Sequence, residues 1–195
     1  VMLNVGARFD DRVTGRLNAF APKSKKIHID IDKSSINKVV HVDFGIVGDC
    51  KEILFLLIQE IKKLHNQKTT KFKSSWWNQI NEWRSKNSLG FIQTGSTIKP
   101  QHAIKSLYEK TIDIDTYITT EVGQHQMWAA QYFGFSAPKH WMTSGGLGTM
   151  GYGLPSSVGV QIAHPESLVI DISGEASFLM NMQELSTIVQ YNLPV

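Results

Sequence analysis

Short apolar runs alternate with amphipathic stretches along most of this chain. Val1 to Val5 is predicted as a brief strand ending at Gly6, and Ile27-His28-Ile29-Asp30-Ile31-Asp32 as a second strand with two carboxylates at its end. A helix is predicted from about Cys50 to Leu64. Ile53, Leu54, Leu57, Ile58 and Ile61 recur at helical spacing and would bury one face. Asp49 fits its N-cap, and Glu52 falls three residues later, as a capping box requires. A polar stretch with Trp76, Trp77 and Trp83 follows and reads as a connection. Its tryptophans would pack on a neighbouring surface, although anchoring in the core is the commoner use of such rings.

The alternation resumes near Ile98. Pro100 suits a first helical turn, with Ala103, Ile104, Leu107 and Tyr108 as the apolar face. Tyr117-Ile118-Thr119-Thr120 is a β-branched strand. A helix is expected over Met127 to Phe133, another over Leu154 to Ala163, and a strand over Leu168 to Ile172. Leu185, Ile188 and Val189 mark the core face of a last helix that ends before Pro194. Strands and helices in this order imply parallel sheets, hence an α/β fold.

Composition narrows the picture modestly. The chain has 195 residues, 42% of them hydrophobic, enough for one good core or two small ones. A net charge of +3 gives no argument for nucleic acid, and the run Lys62, Lys63, His65, Lys68, Lys71, Lys73 reads as a solvated helix end and linker. The single cysteine, Cys50, excludes an internal disulfide framework and suits a reducing compartment. No apolar run approaches the ~20 residues of a membrane span. The start reads as a strand already under way and Asn192-Leu193-Pro194-Val195 as the approach to another, so an internal segment of a longer protein is expected.

The candidate chemistry lies mainly in the last third. Val169-Ile170-Asp171-Ile172-Ser173-Gly174-Glu175-Ala176-Ser177 reads as a buried strand, a turn and a helix start. In parallel α/β sheets ligands sit outside the carboxyl ends of the strands. An acid there is most often a cap or a turn residue. Here Gly174 permits close backbone approach, while Ala176 and Ser177 leave room and offer N–H and hydroxyl donors. Glu175 could then hold magnesium against a diphosphate, because magnesium takes oxygen ligands from one or two carboxylates plus phosphate. Gln124 and His125, placed at the end of the preceding strand, could donate hydrogen bonds to the same group.

The glycine loop Ser144-Gly145-Gly146-Leu147-Gly148-Thr149-Met150-Gly151-Tyr152-Gly153 lacks the Gly-Lys-Ser/Thr ending of a Walker loop. Met150 could wedge against a cofactor ring, gap-filling being its commoner use. Near the amino end, Arg8 and Arg12 could clamp a pyrophosphate and Asp30 could accept a ribose hydroxyl. A surface ion-pair cluster explains the same residues equally well.

Four runs together resemble one family. They are Gly6-Ala-Arg-Phe-Asp-Asp-Arg-Val-Thr-Gly15, His28-Ile-Asp-Ile-Asp32, Glu121-Val-Gly-Gln-His-Gln-Met-Trp128 and Thr143-Ser-Gly-Gly-Leu-Gly-Thr-Met-Gly-Tyr-Gly-Leu-Pro155. In this order they resemble the large catalytic subunit of the acetolactate synthases, within the thiamine diphosphate enzymes.

The resemblance implies an α/β fold in which the end of a middle, FAD-binding domain (1–66) precedes a tryptophan-bearing linker (67–97). The start of a parallel-sheet thiamine diphosphate domain (98–195) would follow. It implies FAD contacts at Gly6, Arg8, Asp10, Arg12, Val13, Asp30, Ile31 and Asp49. Thiamine diphosphate contacts would be Val122, Gly123, Gln124, His125, Gly148, Met150, Gly174, Glu175, Ala176 and Ser177, with Glu175 as the magnesium ligand. No catalytic residue is implied within the chain, since the activating glutamate belongs to an amino-terminal domain.

The reaction implied is decarboxylation of pyruvate and condensation with a second 2-keto acid, in branched-chain amino acid synthesis. The implied partners are the keto acids, a second copy of the chain and a regulatory small subunit, with no nucleic acid or membrane. The bacterial cytoplasm is the expected location, an organelle the alternative. Pyruvate oxidase, glyoxylate carboligase and a non-catalytic nucleotide-binding module are the rival readings. The family pattern is Asp-Gly-Asp where this chain has Ser173-Gly174-Glu175.

Overall fold

A computed structural model describes residues 1–65 and 74–195, which form two compact units, Val1–Gln79 and Ile80–Val195. Lys68, Lys71 and Lys73 of the basic run lie outside the described residues.

The first unit contains β1 (Met2–Val5), a short helix α1 (Asp11–Thr14), β2 (Lys26–Asp30), β3 (Phe44–Val47) and α2 (Cys50–His65). The three strands are parallel in the order β1-β2-β3. The loops after β1 and β3 stay pinned to the central strand, because Gly6 N donates to Ile29 O at 2.8 Å and Gly48 N to Asp30 O at 3.0 Å. A small core gathers Phe9, Val40 and Val42, with Ala7, Phe20 and Ile36 packed on it. His28 is fully buried edge-on to Phe9; among the described residues neither ring nitrogen is hydrogen-bonded, and Nε2 lies 3.6 Å from Asp30 Oδ2.

Asp49 caps α2 as expected, accepting from Lys51 N at 2.9 Å. The expected apolar face is only half realised, since Ile53, Leu54 and Leu57 are half-buried while Ile58 and Ile61 are exposed. The second expected strand stops at Asp30. Ile31 lies beyond it, exposed, and Asp32 turns back to cap the next turn through Ser34 N. Strand β3 carried no sequence expectation; its residues are mostly exposed, so no clear alternation announces it.

Helix α3 (Ser74–Ser85) spans the division between the units, and Trp76, Trp77 and Trp83 are exposed on it. Among the described residues they belong to neither core cluster. The second unit continues with α4 (Pro100–Thr111), β4 (Thr116–Thr120), α5 (Gln124–Tyr132), β5 (Trp141–Met142), α6 (Gly153–Ala163), β6 (Leu168–Ile172), α7 (Glu175–Met180) and α8 (Glu184–Gln190). Its sheet is parallel in the order β5-β4-β6. On one face Ile104, Ile118 and Phe133 form the core with Trp141, Ile170 and Ile172 around them. On the other face α6 lies against both β4 and β6.

Two expectations about placement change. Gln124 and His125 open α5 rather than end β4, because the strand stops at Thr120 and Gly123, at φ 154°, turns the chain into the helix. On α8, Ile188 is half-buried, but Leu185 and Val189 are exposed. Among the described residues no helix is long and apolar enough to cross a membrane.

Candidate functional site

Strands β4 and β6 are hydrogen-bonded neighbours whose register pairs Thr120 with Ile172. Both turns therefore leave the sheet at one level, at the carboxyl ends where α/β proteins hold ligands. The first carries Glu121, Val122 and Gly123 into α5; the second carries Ser173 and Gly174 into α7.

The His125 ring joins the two turns. A Cβ on Gly123 would stand 2.8 Å from His125 Cε1, and one on Gly174 would stand 3.0 Å from the same atom. A side chain at either position would press on the ring between them. At Gly174 the need is for space alone, since its φ of −81° suits any residue. His125 Nε2 lies 2.9 Å from Glu121 Oε1, a close contact but not an aligned hydrogen bond.

Glu175 is exposed at the first position of α7, and Ala176 beside it is exposed too. Ser177 is buried and lies close to Gly151. The first intrahelical bond runs from Phe178 N to Gly174 O, so the amides of Glu175, Ala176 and Ser177 precede it and are left to external acceptors. Three successive N–H donors with an adjacent carboxylate suit a diphosphate paired with a hard cation. Among the described residues no cluster of three His, Cys, Asp or Glu side chains could hold a metal by itself. A cation at Glu175 would take its other ligands from backbone carbonyls, phosphate and water.

The glycine loop is anchored at both ends. Ser144 Oγ accepts from Thr149 N at 2.8 Å, closing its outer part, and Gly148 sits at φ 77°. At its inner end Asn181 donates to Gly151 O at 2.6 Å, tying the loop to the end of α7. Gly148 and Met150 are exposed between these anchors.

Beneath the two turns lies a polar layer that the sequence reading did not single out. Asp171 accepts from Thr119 Oγ1 at 2.9 Å across the strand pair and also from Ser173 Oγ. Gly153 packs on it, with Glu121 alongside. The available signal was an acid inside an apolar strand, which must find partners. Burial pushes the Asp171 carboxyl above the ordinary carboxylate range, and the nearby Glu121 charge adds to this, while the Ser173 and Thr119 bonds and His125 oppose it.

Because this pKa is raised on folding, the folded state holds the Asp171 proton more tightly than the unfolded chain. Its contribution to stability is therefore full below the unfolded value of 3.8 and is lost as pH climbs through the raised folded value. Urea unfolding at stepped pH is expected to show this decline just above that value in the wild type and not in Asp171→Asn. Identical slopes in the two proteins would refute it.

In the first unit the carboxyl ends of the three strands bring Gly6, Asp30, Ile31 and Asp49 to one edge of the sheet. The charged loop after β1 is largely self-satisfied. Arg8 Nε and Nη2 donate to Asp10 Oδ2 at 3.0 and 2.8 Å, and Asp10 Oδ1 accepts from Val13 N as the cap of α1. Arg12 and Val13 are exposed on that helix. Asp30 accepts from Asp32 N at 2.8 Å.

Comparison with known proteins gives this geometry a family. Residues 121–195 match the thiamine pyrophosphate enzyme C-terminal TPP binding domain. Residues 1–57 match the thiamine pyrophosphate enzyme central domain. The chain belongs with the thiamine pyrophosphate enzymes.

Its whole length also aligns with acetolactate synthase large subunits. It is 47% identical to that of Buchnera aphidicola subsp. Acyrthosiphon pisum and 44% identical to the isozyme 3 large subunit of Escherichia coli, covering 34% of each. It is 46% identical to the chloroplastic acetolactate synthase of Arabidopsis thaliana, covering 29% of it. The chain thus spans about a third of the length of the curated relatives it matches.

These matches correct the expected fold class. The α/β character and parallel sheets stand, but both matched domains are thiamine pyrophosphate enzyme domains, so the order of an FAD-binding domain followed by a thiamine diphosphate domain does not. The arginine–aspartate run that prompted the flavin label has a local role in this fold, since it forms and caps α1.

Proposed function

We propose that the full-length protein containing this chain is an acetolactate synthase, which decarboxylates pyruvate and condenses the product with a second pyruvate or with 2-ketobutyrate. Identity of 44–47% to bacterial acetolactate synthase large subunits along the entire chain carries this reading. The convergence of two turns on His125 supports it from the structural side.

Thiamine diphosphate, when bound, supplies an electron sink for the carbon that loses carbon dioxide. The residues here would do the holding. Val122, Gly123, Gln124 and His125, together with the amides of Glu175, Ala176 and Ser177, would bind the diphosphate. Gly174 keeps that turn clear for the His125 ring. Glu175 would hold magnesium. Gly148 and Met150, exposed on the anchored glycine loop, would meet the pyrimidine end. FAD would lie along the carboxyl edge of the first sheet, near Gly6, Arg8, Asp10, Arg12, Val13, Asp30, Ile31 and Asp49. In the same proposal the protein pairs with a second copy and with a regulatory small subunit, as the name "large subunit" of its relatives suggests. Bacterial and chloroplastic relatives are both found, so the bacterial cytoplasm and an organelle are both compatible with it.

The test is acetolactate formation by the full-length protein from pyruvate, with thiamine diphosphate, magnesium and FAD omitted one at a time. Activity that needs thiamine diphosphate and magnesium is expected. A protein that forms acetyl phosphate, or that accepts only glyoxylate, would replace this reading with pyruvate oxidase or glyoxylate carboligase. No magnesium-dependent thiamine diphosphate binding would favour the non-catalytic module.

A further inference from the structure

Glu121 is fully buried directly after β4, where a carboxylate is costly unless it is paired and hydrogen-bonded. Its two oxygens divide their partners between the two turns. Oε2 accepts from Val122 N at 2.7 Å, within its own turn. Oε1 accepts from Gly174 N at 2.9 Å, across to the turn before α7. The same Oε1 lies 2.9 Å from His125 Nε2. From below, space is limited, since a Cβ placed on Gly153 would stand 3.1 Å from its Cγ. Hydrogen bonds with an ionised acceptor are roughly twice as strong as neutral ones. Thr119 and Asp171 tie the strands one layer deeper, while Glu121 ties the turns themselves.

Resting on the proposed function, we infer that Glu121 is a positioning residue for the cofactor. Its buried carboxylate fixes the separation between the turn bearing His125 and the turn bearing Glu175. By occupying the Gly174 amide, it also leaves the next three amides of α7 as the set that meets the diphosphate. Glu121 itself touches neither cofactor nor metal.

Glu121→Gln keeps the side-chain volume but leaves a single oxygen to accept from two N–H groups. Calorimetry on the full-length protein would compare thiamine diphosphate binding, with magnesium, in wild type, Glu121→Gln and Gln161→Leu. Gln161 is buried near the opposite end of α6, where its Nε2 donates to the carbonyls of His164, Pro165 and Ser167. Its loss is a purely structural injury. The expected result is a fall in affinity of about 10–100-fold for Glu121→Gln, the range typical of residues that orient ligands. Gln161→Leu is expected to lower the thermal midpoint and leave affinity unchanged. Equal affinity in wild type and Glu121→Gln overturns the inference. A wild type that fails to bind overturns the proposed function, and the inference with it.

Should Glu121→Gln not fold, hydrogen exchange on the wild-type full-length protein decides. The Gly174 amide is expected to be protected without cofactor, and those of Ala176 and Ser177 only after thiamine diphosphate and magnesium are added. A Gly174 amide that exchanges as fast as Ala176 beforehand overturns the inference.

Discussion

Glu175→Gln in the full-length protein is expected to abolish magnesium-dependent binding of thiamine diphosphate and to cut acetolactate formation by at least about 100-fold. Glutamine keeps the shape and the helix start but removes the charge on which a hard cation depends. Glu175 is exposed, and among the described residues its side chain forms no hydrogen bond or ion pair, so little else should change. The fold of the cofactor-free protein is expected to hold to within about 1 kcal/mol, the usual limit for a charge in a first helical turn. Glu175→Asp separates charge from reach. It shortens the side chain by one methylene toward the residue usual in the family, and it is expected to retain magnesium-dependent binding. Normal binding by Glu175→Gln would show that the cation is held elsewhere.

Two glycines of one helix are expected to respond in opposite directions to the same added methyl. In Gly153→Ala the new Cβ would stand 2.5 Å from Asp171 Oδ1, 3.0 Å from Ser173 Oγ and 3.1 Å from Glu121 Cγ. None of these can yield cheaply, because each belongs to the hydrogen-bonded layer under the turns. Overpacking of this kind costs about 1–3 kcal/mol. The displaced carboxylates should also weaken cofactor binding. Gly159, in the same helix, has nothing within 4 Å of its would-be Cβ. Gly159→Ala is expected to stabilise by roughly 0.5–1 kcal/mol, since alanine loses less backbone entropy in a helix. Thermal unfolding of both variants in the full-length protein checks the pair. A neutral Gly153→Ala would mean that the polar layer is looser than its contacts imply.

The fold was legible where periodicity and caps spoke together. Asp49 before α2, Pro100 opening α4 and the apolar strand β6 were all readable from local sequence. Two strands were not: β3 lacks alternation, and β5 is two residues long. Buried faces were overestimated for α2 and α8, because periodicity identifies an apolar side of a helix without saying what covers it.

At the site, Gly174 and Glu175 were readable as a strand–turn–helix junction, and His125 as its neighbour. Glu121 and Asp171 were not. Their partners are 53 and 52 residues away in Gly174 and Thr119, and only the β4–β6 register brings them together. The charged run at Gly6–Gly15 was open to two readings, a nucleotide clamp and a local ion-pair cluster, and its Arg8 and Asp10 do partner each other locally.

The imidazole wedged between Gly123 and Gly174 has an evolutionary corollary. Surface turns ordinarily absorb insertions and deletions with ease, yet these two share one side chain and one sheet level. Lengthening either by a single amino acid would unseat that side chain from both, so natural variants should differ in length elsewhere, as in the 134–140 connection between α5 and β5, and leave these two junctions constant in size.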